Sequence, residues 1–393
     1  MSLPRTATTR VVTDINRTAI LDALRANGPL SRRDIQRKTG LSPATVERLC
    51  AALLSEKAIV PDGYQRSSGG RPSSLYRYAG DARVVAAVEV SSARVRGRLV
   101  DLDGKVVHES IVEFSGAVWP DGPGAASIRL DETIAMVGTL VASAARIRKP
   151  CVGVGVIVPG IVHGREGRIT NAVELGWTDV SLGSILESSH RIPIVIENDA
   201  NAIALGEWAK GAGVGAHSLA SYVLGVGVGA GIVHDGAILR GYRSAAGEIG
   251  YLLTDRSGLG RLFTEQGDLE SRIAAVARSY RPDQGASDPN PLAALLDDAA
   301  DGQPLAVAAA GEIFDYIGLS CIALSTVLDP EVIVLGGHLT RQPAFAVDQV
   351  SRRLVGRITF PPRVTVSKLG VDAALVGVSQ LTITRVRDAT YLA

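Results

Sequence analysis

Apolar and polar positions change period several times along the chain, and each change marks an element. From Asn16 the apolar residues recur at helical spacing, with Ala19, Ile20, Ala23 and Leu24 on one stripe closed by Asn27-Gly28-Pro29. Residues 1–14 ahead of it are polar and Thr-rich and read as a loose arm. Ser31 is placed to cap a short helix over Arg32–Thr39 whose core contact is Ile35. After a tight turn at Gly40-Leu41, Ser42 followed by Pro43 has the N-cap and first-turn chemistry of a third helix reaching about Ser55. Val46, Leu49, Cys50 and Leu53 share one face of that helix, whereas Ala44, Arg48, Ala51 and Ser55 point the other way. Helix, glycine turn, capped helix is the helix-turn-helix pattern. Two short strands, Ile59–Val60 and Leu75–Tyr78, then flank the Gly- and Arg-bearing stretch Gln65–Pro72 as a wing.

The pattern becomes β-rich from about Ala82. Val84–Val90, Val95–Val100 and Val106–Phe114 read as strands, the last two joined by the hairpin turn Asp101-Leu102-Asp103-Gly104. A helix follows over Ala125–Ile147 with Ile128, Leu130, Ile134, Val137 and Leu140 as its apolar positions, then a buried strand Val152–Val158 ended by Pro159-Gly160. Ile192–Ile196 is another short apolar strand, and it runs into a helix over Ala200–Lys210 stopped by Gly211. Glu197, Asn198 and Asp199 therefore sit where a strand turns into a helix, the place where open α/β sheets put ligand-binding groups. Asn198 or Asp199 is equally suited to cap the helix. Leu219–Leu224 and Gly229–His234 are strands again, and Asp235-Gly236 turns the chain into Ala237–Leu239. A strand–hairpin unit with an Asp-Gly turn thus occurs twice, which implies two similar lobes facing each other across a cleft. Helices near Leu269–Ser279, Leu292–Ala300 and Pro304–Leu328 come next, and a strand Val332–Leu335 leads into Gly336-Gly337. The segment Phe345–Arg357, a strand Val364–Val366 and a helix from Asp372 close the chain.

Composition narrows the classes. At 393 residues two or three domains are expected, and 46% apolar residues with 43 Gly fit an α/β protein. Aromatic residues at 4% leave no stacking platform for single-stranded nucleic acid. Three scattered cysteines, Cys50, Cys151 and Cys321, form neither a disulfide framework nor a metal spacing. With no uncharged apolar run of membrane length and no signal-peptide core, the expectation is a cytoplasmic protein without membrane contact. Charge is uneven. Residues 1–80 carry 13 Lys and Arg against 6 Asp and Glu, a net of +7, and the remaining 28 basic and 34 acidic residues net −6. A basic head on an acidic body fits a polyanion-binding module joined to something else. On the head, Arg32, Ser42, Ala44, Thr45 and Arg48 are candidates for a DNA face, with Arg66 and Arg71 in the wing able to reach backbone or minor groove.

The stretches PLSRRDIQRKTGLSPATVERL, SSGGRPSSLY, LVDLDGKVV, VGVIVPGIV, LGW at 175–177, IENDANAIALGE, GVGVGAGIVHDGAILRG, AAGEIGY and LDPEVIVLGG, in this order, resemble the ROK family from about Asn16 to the end. The resemblance is to its repressor branch. It implies an α/β fold with an N-terminal winged helix-turn-helix at 1–80, then a two-lobed actin/hexokinase-like, ribonuclease H-like duplicated body. The lobes would span 81–196 and 197–371, the helix from about 372 returning to the first. It also implies that Asp199 occupies the place of the catalytic base and that Asn198 and Glu248 bind sugar hydroxyls. Gly225, Gly227 and Gly229 would match the nucleotide-phosphate loop, and Gly336 and Gly337 the part near adenine. Three departures matter. Where kinases of the family carry an Asp-x-Gly-Gly-Thr-like phosphate loop, the chain reads Glu89-Val90-Ser91-Ser92-Ala93. Tyr251 stands at the position of a zinc-binding His, and Leu252–Ile273 holds no Cys or His. Glu174 precedes Leu175-Gly176-Trp177 where kinases carry a sugar-contacting Asn, which would shift ligand preference. The expectation is a sugar-responsive DNA-binding regulator without enzyme activity. It would bind double-stranded operator DNA and a sugar effector, use neither zinc nor ATP and Mg²⁺, and assemble as a homodimer or homotetramer. An ATP-dependent sugar kinase that also binds DNA is the alternative, and a body serving only oligomerisation is a third reading.

Overall fold

A computed structural model describes residues 9–65, 72–114, 124–164, 166–264, 266–280 and 291–392. The head comprises α1 (Thr9–Asn27), β1 (Leu30–Ser31), α2 (Arg32–Thr39), α3 (Pro43–Ser55), β2 (Ile59–Gln65) and β3 (Ser73–Tyr78). Local chemistry fixes its joints. The Ser31 hydroxyl accepts from the Asp34 N–H while the Asp34 carboxylate reaches back to the Ser31 N–H, and Gly40 ends α2 at φ 70°. The Ser42 side chain accepts from the Thr45 N–H and Pro43 occupies the first turn of α3. Ile20, Leu24, Ile35, Val46, Leu49, Cys50, Leu53 and Ile59 are buried together as the core of this unit. Two details correct the sequence reading. α1 begins at Thr9, so residues 9–14 are helix rather than loose arm; a nucleated helix propagates into polar residues that contain no breaker. Leu30-Ser31 pairs with β3, Leu30 lying opposite Tyr76, and adds a strand too short for any period to reveal.

The body continues with β4 (Val84–Val90), β5 (Arg94–Asp101), β6 (Val106–Glu113), α4 (Ala125–Arg146), β7 (Cys151–Val158), β8 (Ile161–His163) and β9 (Arg168–Asn171). Next come α5 (Leu182–His190), β10 (Ile194–Asn198), α6 (Asp199–Lys210), β11 (Ser218–Leu224), β12 (Val228–His234) and β13 (Ala237–Ile238). The chain ends with α7 (Asp268–Tyr280), α8 (Pro291–Ala300), α9 (Pro304–Leu328), β14 (Val332–Gly337), α10 (Pro343–Leu354), β15 (Arg363–Val366) and α11 (Ala373–Leu392). Two five-stranded sheets have the same wiring, β10-β7-β4-β5-β6 and β15-β14-β11-β12-β13. In each, the first strand pairs antiparallel with the second and the second with the third. The fourth strand then pairs parallel with the first from its other side, and the fifth lies beyond it.

Between the sheets lie α6 and α11, α6 packing on β11 and β12 and α11 on β4 and β7. The two helices meet backbone to backbone. A Cβ on Gly206 would lie 2.1 Å from the Ala373 carbonyl oxygen, and one on Gly377 would lie 1.8 Å from that of Ala202. α4 covers the first sheet through Met136, Val137 and Leu140. Ile128 stays 37% exposed, against the sequence reading, while Arg129 and Thr133 take buried positions; the sheet-facing stripe passes one residue beyond Ile128. By length and composition alone α9 could cross a membrane. Its residues Ile313, Phe314, Ile317, Cys321 and Leu324 are instead packed into the core behind the second sheet. At its far end α11 touches the head, where Arg387 and Asp22 approach to 2.9 Å.

Candidate functional site

β10 carries three polar residues to the start of α6, and the buried Glu197 fixes them. Its Oε1 accepts from the Asn198 N–H and from Asn201 Nδ2, each at 3.0 Å, and its Oε2 accepts from Arg240 at 2.6 Å. Asn198 is the cap of α6. Its Oδ1 accepts the Asn201 N–H at 3.1 Å and its Nδ2 donates to the Gly160 carbonyl at 3.0 Å. The capping role left open by the sequence is thus the one that the fold uses, and both ends of the amide are engaged. Asp199 is the first residue of α6, its Oδ1 accepting the Ala200 N–H at 2.8 Å. Burial raises the Asp199 carboxyl pKa to about 7; Glu174, Glu248 and Glu89 push the same way and the Ala200 N–H opposes them.

Asp199 lines a cleft of about 280 Å³ together with Asn198, Glu174, Glu248, Gly225, Gly227 and Gly229. Gly336 and Gly337 are not brought into that lining. They end β14 beside Val223 and Leu224 of β11. Glu174 is anchored from the first sheet, its Oε1 accepting from the Ser92 N–H at 3.0 Å and the Ser92 hydroxyl at 2.8 Å. The carboxylate of Glu248 accepts no hydrogen bond among the described residues, and burial followed by Glu270 raises its pKa. Glu270, on α7, is a cleft residue that the sequence reading missed. Its Oε2 accepts the Val228 N–H at 3.1 Å, and burial raises its pKa against that bond. The stretch after Tyr251 was informative for Cys and His only, and a lone Glu there carried no motif.

At the two turns that the resemblance assigns to a nucleotide, backbone donors are engaged within the chain. The turn from β4 to β5 uses its own donors: Ser91 Oγ accepts the Ala93 and Arg94 N–H groups at 3.3 and 3.2 Å, and Ser92 donates to Glu174. Glu89 is held by the buried Arg96, at 3.1 and 2.9 Å, and Arg96 and Arg98 both reach Asp372, at 2.9 and 2.7 Å. At the second turn Glu270 takes the Val228 N–H that would face a phosphate oxygen. Among the described residues no group of three His, Cys, Asp or Glu side chains is gathered at one point. Tyr251 instead lines the cleft.

The DNA-face candidates lie on the head, away from the cleft. Ser42, Ala44 and Arg48 are exposed and Thr45 is half-buried at the start of α3. Ser42 Oγ is spent on the cap and lies 2.9 Å from Thr45 Oγ1. Arg32 stacks on the Tyr76 ring at 5.5 Å and approaches Glu47 at 3.5 Å. Arg66 and Arg71 lie outside the described residues.

Comparison with known proteins agrees with this two-part plan. A family model described as the ROK family matches residues 85–385, and one described as winged helix-turn-helix DNA-binding matches residues 13–59. A putative xylose repressor of Caldicellulosiruptor sp. (strain Rt8B.4) is 27% identical over 387 residues, covering 93% of this chain and 95% of the relative. A glucokinase of Halalkalibacterium halodurans is 31% identical over 250 residues, 58% of this chain and 74% of that one. The crystal structure of a ROK family transcriptional regulator, described as a homologue of the E. coli MLC protein, superposes with a TM-score of 0.76 at 20% identity, covering 97% of both chains.

Proposed function

The chain belongs to the ROK family, and on that premise we propose that it is a sugar-responsive transcriptional repressor. Its winged helix-turn-helix head binds double-stranded operator DNA, and its kinase-like body reads a sugar in the cleft around Asp199. The observation that carries this reading is one chain in which a capped recognition helix with Arg48 and Ala44 exposed is joined to a sugar-kinase-type body. The relative named as a putative repressor aligns over 93% of this chain, whereas the one named as a glucokinase aligns over 58% of it.

The body senses without catalysing. Supporting this are the self-closed turn at 91–94, the Arg96 grip on Glu89 and the Glu270 carboxylate on the second turn. Phosphoryl transfer depends on positioned phosphates and metal as much as on a base. We also assign it no zinc, no ATP and no Mg²⁺, a cytoplasmic location and a homodimeric or homotetrameric state. A dimer would hold two recognition helices about one DNA turn apart, and a ligand with unequal affinity for two cleft angles changes that spacing. One path from the body to the head runs through α11, which packs on α6 and meets α1 at Arg387 and Asp22.

Anisotropy of labelled operator DNA, selected from a random-sequence pool with the full-length protein, tests the reading across a sugar panel. One sugar that shifts half-saturation by tenfold or more is expected; a panel in which no sugar moves it refutes sensing. The kinase alternative keeps one observation in its favour, Asp199 in the place of the base. A coupled ATP–Mg²⁺ assay giving turnover near one per second, lost in Asp199→Ala, would establish it.

A further inference from the structure

A second cavity lies at the joint of head and body. It measures about 570 Å³, between the end of α1 and β3 on the head and the β5–β6 turn, α11 and the end of α6 on the body. It continues into about 320 Å³ along α11, the two parts sharing Asp103, Lys210, Gln380 and Ile383. Small-molecule sites have volumes of this order and gather at domain joints.

Four cations line the first part, Arg25, Arg77, Lys210 and Arg387, against two acids, Asp62 and Asp103. Two of the cations are engaged. Arg77 grips Asp81 at 2.9 and 3.2 Å, and Arg387 reaches Asp22 at 2.9 Å. Arg25 lies over the Tyr78 ring at 4.1 Å and donates to its hydroxyl at 2.6 Å, but it bonds to no carboxylate among the described residues. Lys210, exposed at the end of α6, has no partner among them either. Arg25 Nη1 and Arg387 Nε are in addition buried donors without an acceptor. Such donors cost free energy that a bound acceptor recovers. Neither lining acid accepts a hydrogen bond from these groups. Burial and then Asp101 raise the Asp103 pKa against the pull of Arg25, which weakens Asp103 as a counter-ion. The second part of the cavity is mainly apolar, lined by Val100, Leu375, Val376 and Ile383 beside Gln380.

We propose that this joint is a second effector site, taking a small organic anion whose carboxylate or phosphate is received by Arg25 and Lys210 and whose short apolar stem lies along α11. A bare inorganic anion leaves the apolar part unused, and a neutral molecule leaves the cations unmatched. Lys210 ends the helix that Asp199 begins, about 18 Å away at the rise of an α-helix. Arg25 belongs to the head. An anion held by both ties the head to the helix of the cleft, and so changes operator affinity without entering the cleft.

Calorimetry on the full-length protein at pH 7 tests this with hexanoate and hexyl phosphate as probes and with hexanol and inorganic phosphate as controls. One of the two amphiphilic anions should bind at a single site at least tenfold more tightly than either control, and which one does so separates the carboxylate from the phosphate. Lys210→Gln should weaken it about threefold, as an exposed, screened charge is lost. Arg25→Gln should weaken it about tenfold, as a charge-assisted bond is lost; should that variant fail to fold, the exposed Lys210 still decides. Saturating probe should also move operator half-saturation at least threefold in the anisotropy assay. Silence from both anions, hexanol binding as tightly as they do, or an affinity unchanged by Lys210→Gln overturns the site. So does a probe that Asp199→Ala weakens as much as Lys210→Gln, since that places it in the cleft. None of these outcomes bears on sugar sensing, which the sugar panel reads.

Discussion

The two sheets repeat one wiring, so their first hairpin turns can be compared position for position. At 91–94 the turn is closed by serine side chains, and Ser92 gives both its N–H and its hydroxyl to Glu174. At 225–228 the turn is glycine-rich and open in sequence, yet its Val228 N–H is given to Glu270. In both turns, therefore, a backbone N–H is given to a carboxylate from another element. They do so by different routes. The first turn has no glycine, and its serine side chains engage its backbone; the second is glycine-rich, and an acid from α7 caps it. A Cβ on Gly227 would fall 2.9 Å from Glu270 Oε2, so the acid depends on the glycine it caps.

Asp199 lies between these turns, and its removal has the largest expected effect. Asp199→Ala should weaken the effector sugar by tenfold or more, measured by calorimetry. Removing a charged acceptor from a polar site costs about 1.5–3 kcal/mol, and tenfold corresponds to about 1.4 kcal/mol. An unchanged dissociation constant would mean that the sugar sits elsewhere.

The two routes also differ in reversibility. Glu270→Ala frees a backbone N–H on an otherwise unblocked glycine turn, so ATP should begin to bind at roughly millimolar concentration, about 4 kcal/mol. Glu174→Ala frees Ser92, but Ser91 still engages Ala93 and Arg94, so no ATP binding should appear. Thermal shift with ATP reads both variants. Equal gains would erase the distinction between the turns.

Much of this was legible because it is local. The Ser31 and Ser42 caps, the Gly40 turn and the paired Asp-Gly hairpins are decided by residues within four positions of each other, and the sequence reading located them. The strand end at Glu197–Asp199 was equally readable from period and composition. What stayed hidden is long-range. Arg96 finds Asp372 at a separation of 276 residues, Ser92 finds Glu174 at 82 and Val228 finds Glu270 at 42. No window of sequence holds such pairs, so Glu89 could be read as the start of an altered loop but not as the partner of an arginine. Ile128 was misplaced for a related reason: an amphipathic count gives a stripe, and only the sheet beneath decides where its edge falls.

Acidity at the junction of the turns predicts a pH effect of intermediate size. The folded pKa of Asp199, about 7, stands above its ordinary value of 3.8, so the folded state holds the extra proton. Its contribution to stability is complete below about pH 4 and is lost as pH rises toward 7. Asp199→Asn removes that loss. The variant should match wild type near pH 4 and exceed it at pH 8 by up to about 4 kcal/mol in chemical denaturation, the linkage that a shift from 3.8 to about 7 carries. Glu248 and Glu270 are raised in the same direction and remain in both proteins, so the difference between the two curves belongs to Asp199. A constant difference across pH would place the Asp199 carboxyl in an ordinary environment.

The smallest expected effect lies farthest from the turns and asks whether they are heard by the head. Arg387 reaches Asp22 in a salt bridge between α11 and α1, with both side chains partly exposed. Such a pair contributes below about 1 kcal/mol to stability, so Arg387→Ala should leave the unfolding midpoint nearly unchanged. Its consequence belongs to coupling. α11 crosses α6 through Gly377 and Gly206 with no side chain between the backbones, so a shift of α6 on ligand binding is passed to α11 without slack. Cutting the far contact should then reduce the factor by which the effector changes operator affinity, by about twofold to fivefold, the lower range of allosteric coupling energies. Operator affinity without the effector should hold within twofold. A variant with full effector response would show that the signal reaches the head by another route, and a loss of basal DNA affinity would assign Arg387 to head placement instead of coupling.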